Sequence, residues 1–127
     1  MAQMTITLEH GLVTGKGTPD EARHMEVTLR ELTSKDIIDA QLAAERVVMA
    51  ENGKAVAYVS EVLYGLELLR RQIAQIGTMP GPLTVKQIHQ FHPDDFRLLS
   101  ARADAMDGML SEVAERGRDD ADGGGTH

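Results

Sequence analysis

The sequence predicts a mainly α-helical fold with a small N-terminal two-stranded β-ribbon: an antiparallel helical hairpin, then a long C-terminal helix. Three observations point there. Apolar–polar alternation of period two is confined to residues 1–32, and two later segments carry apolar residues spaced alternately by four and three. Hydrophobic residues make up 42% of the chain but aromatics only 3%, with no Trp. A core built of Leu, Ile, Val, Ala and Met suits packed helices better than a β-sandwich. The 127 residues fit one domain, read as a ribbon over 1–32, a helical core over 33–116 that packs with it, and a disordered tail over 117–127.

In the ribbon, "MTITL" (4–8) sets Met4, Ile6 and Leu8 against Thr5 and Thr7, and "MEVTL" (25–29) repeats the pattern. Both read as half-buried strands. "TGKGTPDEA" between them has the composition of a mobile loop. Such a ribbon is marginal alone and must pack on something else.

The first helix is expected from Ser34 to Glu51. Thr33 can cap it, Asp36 stands where a capping box puts an acid, and Asn52-Gly53 supplies a left-handed stop. Its stripe is Ile37, Ala40, Ala44 and Val47. The second helix should fold back antiparallel, with the seam Ala55, Val59, Val62, Leu66, Leu69, Ile73 and Ile76. Glu67 and Arg71 form a favourable pair on its side. Gly65, costly within a helix, suggests close approach by another backbone, and Gly77 ends the helix. After the stiff "TMPGPL" connector comes a short helix from Val85 to Gln90 capped by Thr84. The last helix runs from Pro93 to Arg116 with the seam Phe96, Leu99, Ala103, Met106, Leu110 and Val113.

A formal charge of −7 and a pI near 5.1 argue against nucleic acid and against an anionic membrane surface. The absence of Cys removes disulfides, thiolate nucleophiles and cysteine-ligated zinc together. With no signal-peptide pattern and no long apolar run, a soluble cytoplasmic protein is expected.

"HQFHPDD" (89–95) is the one stretch rich in metal-ligand types. Pro93 suits the first helical position, His92 then stands at the N-cap, and Asp94 and Asp95 fall in the first turn, where the helix dipole favours acids. His89 and His92 are three apart across a break, a poor spacing for two ligands on one helix face. Helix capping is the better reading, and no metal or other cofactor is expected. His10 and His24 read as solvated, Lys16 as a loop lysine, and Arg70-Arg71 as a solvated helix face.

What remains is burial. Covering the six side chains of the last seam would stabilise by on the order of 10 kcal/mol, as much as the whole stability of a domain this size. Other helices must cover these seams, within the chain or from a partner.

"EVTLRELTSKDIIDA" (26–40), "LLRRQIAQIG" (68–77) and "GPLTVKQIHQFHPDDFRLL" (81–99) together resemble the tail assembly chaperone family of P2-like and Mu-like contractile-tailed phages. The resemblance covers roughly residues 26–110. His89 and His92 are not part of the family pattern. It implies a non-enzymatic factor, made in the cytoplasm of the host bacterium, that binds the apolar, helical tape-measure protein and keeps it soluble until tail-tube subunits assemble around it. Such a factor is not retained in the mature virion. A frameshifted longer form of the chain is a further implied partner, and the seams can also close into homo-oligomers. The client-facing residues expected are Leu66, Leu69, Ile73, Phe96, Leu99, Met106 and Leu110. Two alternatives differ in class: a structural subunit retained in the tail, and a small metal-dependent enzyme using His89 and His92.

Overall fold

The computed structural model describes the backbone of residues 2–121 and the side chains of residues 2–107. It contains six strands and four helices: β1 (Gln3–Thr14), β2 (Ala22–Arg30), α1 (Ser34–Ala44), β3 (Glu45–Met49), β4 (Ala55–Val59), α2 (Glu61–Gln72), β5 (Ile73–Ile76), β6 (Met79–Pro80), α3 (Val85–Ile88) and α4 (Pro93–Ala121). The expectation of a mainly α fold with a single N-terminal ribbon is therefore overturned. The chain is α+β, with a four-stranded sheet in the order β1-β2-β5-β6 and a separate two-stranded sheet β3-β4.

The errors have local causes. Residues 34–51 and 55–76 were expected as two continuous helices, but a β-hairpin occupies 45–59. "ERVVM" and "AVAYV" are rich in β-branched side chains, which favour the extended chain. Asn52-Gly53 turns that hairpin instead of ending a helix. Gly53 has φ +81° and donates its N–H to the Ala50 carbonyl, while Ala50 N–H reaches the Lys54 carbonyl. That is a three-residue loop closing on a left-handed glycine.

The spacing of four from Ala55 to Val59 misled because it keeps residues on one face in a strand as well as in a helix. At the other end, Ile73–Ile76 leaves the helix to become an inner strand paired with β2. Ile73 pairs with Leu29 and Gln75 with Thr28, so Ala74 is the extra residue of a bulge. The bulge lets Ile73 and Ile76, three apart, both be fully buried. Gly77-Thr78 makes the two-residue turn into β6, with Gly77 at φ +57° in the place a tight hairpin reserves for glycine.

Other expectations hold. Thr33 and Asp36 form the capping box of α1, and Thr84 and Gln87 form another on α3. The N-terminal strands pair antiparallel and extend beyond the alternating segments at both ends. Of the expected tail, residues 122–127 lie outside the described residues, while 117–121 continue α4. The core is formed by Leu8 and Leu12 of β1, Val27 and Leu29 of β2, the β5 isoleucines, and Leu69, Ile88, Leu99 and Met106 from the helices laid on the sheet. Helix α1 packs on α2 and buries Ala40 and Ala44.

Arg30, at the end of β2, grips Asp36 with both guanidinium nitrogens at 2.7 and 3.0 Å and ties the sheet to α1. The Arg30 bond holds the Asp36 carboxyl well below its usual range; burial opposes this, and the Thr33 bonds assist. A carboxyl depressed in the folded state contributes fully above the pH where an unfolded Asp titrates, near 4, and loses that contribution as the pH falls below it. Asp36→Asn is expected to cost about 1–2 kcal/mol at neutral pH. In urea melts, its deficit relative to the parent should shrink as the pH is lowered through about 3.

Candidate functional site

Helices α2 and α4 lie side by side but pack loosely, and an apolar trough runs between them. Ser60 caps α2 by accepting from Leu63 N–H at 3.3 Å, which sets the helix so that Val62, Gly65, Leu66 and Leu69 face α4. From α4 come Phe96, Ser100 and Ala103. The trough has two adjoining hollows of about 320 and 250 Å³, and Leu66 and Phe96 line both. The second hollow continues over Ile88, Phe91 and Pro93. Glu61, Gln72, Asp104 and Asp107 line the polar side. Burial, and then the neighbouring Asp104, push the Asp107 carboxyl above its usual range, while Gln72 Nε2 at 3.5 Å works against that shift.

The seven expected client-facing residues do not share one environment. Leu69, Ile73, Leu99 and Met106 are buried in the core, and Leu69 is also part of the trough wall. Leu66 and Phe96 are partly buried and exposed along the trough. The side chain of Leu110 lies outside the described residues. Gly65 meets no neighbouring atom within 4 Å of an added Cβ, so the close backbone approach expected there does not occur.

A second apolar surface had no forecast. Among the described residues, every large apolar side chain that is at least 39% exposed lies between Ile37 and Val62. These are Ile37, Ile38 and Leu42 on α1, six residues of the β3–β4 ribbon, and Val62, which is 77% exposed. Spacing gave no hint of this, because Val47, Val59 and Val62 had been assigned to helical seams.

The stretch that looked metal-like starts a helix. Asp94 N–H donates to His92 Nδ1 at 3.1 Å, which is the expected capping role. Asp95 does more than complement a dipole. Fully buried, it accepts from the backbone N–H groups of Glu9, His10 and Gly11 at 2.8, 3.0 and 2.9 Å. Those three residues bulge out of β1 between its pairings at Thr7 and Leu12. One carboxylate thus fastens α4 to the sheet, and sequence offered no sign of the long-range partner.

The bulge also brings His10 over His92, with rings stacked at 3.6 Å and Asp94 Oδ2 at 3.2 Å from His10 Nε2. Among the described residues, His10, His92 and Asp94 are the ones that could hold a cation, their ligand atoms lying within 4.8 Å of one another. The pair foreseen for a metal was His89 with His92, whereas the structure brings His10 to His92. His92 Nδ1 is already committed to the helix start, and Asp94 also binds Arg97 at 3.0 Å.

Three other side chains differ from their solvated reading. His24 is buried, with Nε2 at 2.9 Å from Thr14 Oγ1. Arg70 and Arg71 are mostly covered and converge on Glu67. Burial works to raise the Glu67 carboxyl, but the two arginine hydrogen bonds outweigh it and hold it below the usual range.

Residues 8–118 match a family model described as tail assembly protein gp41. The chain is 43% identical over 116 residues to "Mu-like prophage FluMu protein gp41" of Haemophilus influenzae, covering 91% of this chain and 87% of that one. It is 44% identical over 115 residues to "Probable tail assembly protein gp41" of Escherichia phage Mu, covering 89% and 78%. A longer Mu relative, "Probable tail assembly protein FS-gp41", is 45% identical over 114 residues, which span 88% of this chain and 60% of that protein. No solved structure matches.

Proposed function

The chain belongs to the tail assembly protein gp41 family of Mu-like phages, and on that premise we propose that it is a non-enzymatic chaperone for the tape-measure protein. It receives a helical segment of that protein in the trough between α2 and α4 and keeps it soluble until tail-tube subunits assemble around it. The observation that carries this reading is that Leu66 and Phe96 together line two adjoining apolar hollows. A hollow floored by half-covered Leu and Phe, walled by two helices and edged with acids, is the form a groove takes for an amphipathic helix. Val62 at its mouth adds apolar area at no cost to the core.

Such a factor acts in the cytoplasm of the host bacterium and is left behind when the virion is complete. Among the described residues, no helix is long and apolar enough to cross a membrane. A longer frameshifted form of the chain would share the trough and add its own extension.

The test is co-expression of the full chain with the tape-measure protein of the same phage or prophage. The parent chain should raise the soluble fraction of the client and co-elute with it. Gly65→Trp fills the trough from a position with open space around it, so the fold survives while client binding falls at least tenfold, a change of about 1.4 kcal/mol. Client solubility indifferent to the parent chain, or unaffected by Gly65→Trp, would overturn the proposal. So would stoichiometric amounts of the chain in purified virions, which would make it a retained tail subunit.

A further inference from the structure

The β3–β4 ribbon is the part of the described chain least able to stand alone. All ten of its strand residues are exposed, and two strands without a covering layer are marginal in water. The register puts Val47, Met49 and Val59 on one face and Val48, Val56 and Tyr58 on the other, so neither face is polar. With Ile37, Ile38, Leu42 and Val62, ten large apolar side chains are 39–77% exposed.

The backbone identifies the kind of partner. A two-stranded ribbon has an unpaired row of N–H and C=O groups along each outer edge, and only another extended chain can pair with them. A helical client has already spent its backbone bonds internally. β4, "AVAYV", carries no charge, no proline and no bulge, so it lacks the usual devices that keep an edge from pairing.

Charge favours a second copy at this place. Glu45 and Glu51 offset Arg46 and Lys54, leaving the ribbon and its turn neutral on a chain of net charge −7. Two copies therefore repel least there. Antiparallel pairing of two β4 edges about Ala57 sets Val56 opposite Tyr58 of the second copy, and Ala55 opposite Val59. Aromatic against β-branched is among the favourable cross-strand pairs.

We propose that two copies of this chain join through the outer edge of β4, two-fold and antiparallel, merging their ribbons into one four-stranded sheet. No residue of β4 lines the client trough. Light scattering over a dilution series of the purified full chain tests it. The parent should have the mass of a dimer or a multiple of it, and the amides of 55–59 should exchange more slowly as concentration rises.

Tyr58→Lys and Val56→Lys place a charge on the exposed edge. They should weaken association at least tenfold with far-ultraviolet circular dichroism unchanged, while Gly65→Trp leaves association as in the parent. A parent chain that stays monomeric, lysine variants that associate as the parent does, or dissociation by Gly65→Trp alone would overturn the proposal. So would protection of 55–59 only when the tape-measure protein is present.

Discussion

Asp95→Ala is expected to destabilise the folded chain by about 3–5 kcal/mol, a large part of what a domain of this size has. The substitution strands three backbone N–H groups, on Glu9, His10 and Gly11, whose shared acceptor is a fully buried carboxylate. Each unpaired buried donor costs about 1–3 kcal/mol. The bulge in β1 would lose the group that organises it, and α4 its anchor on the sheet. Asp94→Ala, one residue away, removes a half-exposed carboxylate and should cost under about 1 kcal/mol. Asp95→Asn keeps the shape but replaces one accepting oxygen by a donor, and should fall between the two. Urea denaturation of the three variants gives the order directly. An Asp95→Ala midpoint no lower than that of Asp94→Ala would show that the clamp contributes nothing.

Gly81→Ala should be nearly as damaging, by about 3 kcal/mol, for a different reason. A Cβ at this position would run into the backbone carbonyl oxygen of Ile73. Gly81 also donates its N–H to the Ala74 carbonyl at 2.8 Å, so the two segments are held face to face. Relief requires moving the start of β5, where Ile73 is fully buried, and overpacking against an element that cannot yield is the costly kind. Gly53→Ala is the control. Its Cβ would meet nothing within 4 Å, and only the left-handed backbone at φ +81° is strained, a penalty of about 1–2 kcal/mol. Thermal melts in which Gly53→Ala proved the worse of the two would contradict the close contact at Gly81.

Local features of the fold were legible in the sequence, and features set at long range were not. Thr33 with Asp36, Thr84 with its helix, and Pro93 after His92 each announce a helix start through side chains that act within one turn. The first two strands were visible in their alternation. Residues 45–59 and 73–76 were misassigned because their apolar spacing satisfies both periods and tertiary pairing decides between them. Ile73 becomes a strand residue because β2 offers it an edge, a fact stored at Val27 and Leu29.

The candidate site was half visible for the same reason. Leu66, Leu69 and Phe96 of the seams line the trough, while Ile73, Leu99 and Met106 belong to the core alone. A seam identifies residues that must be covered without saying whether the chain itself covers them. The exposed ribbon was hidden by the helix assignment, and the Asp95 clamp joins residues more than eighty positions apart.

The order of strands in the larger sheet has a consequence for how the protein is made. β2 is an inner strand, yet its second neighbour, β5, leaves the ribosome only after α1, the exposed ribbon and α2 have been synthesised. During that interval the N-terminal hairpin waits with a bare side, and the isoleucines that will seal it have not yet emerged. Slow closure of sequence-distant strands leaves nascent chains open to mispairing. Translation speed across 31–76 should therefore govern the yield of native protein, with a paused ribosome in that window leaving the hairpin free to pair with a neighbouring nascent chain.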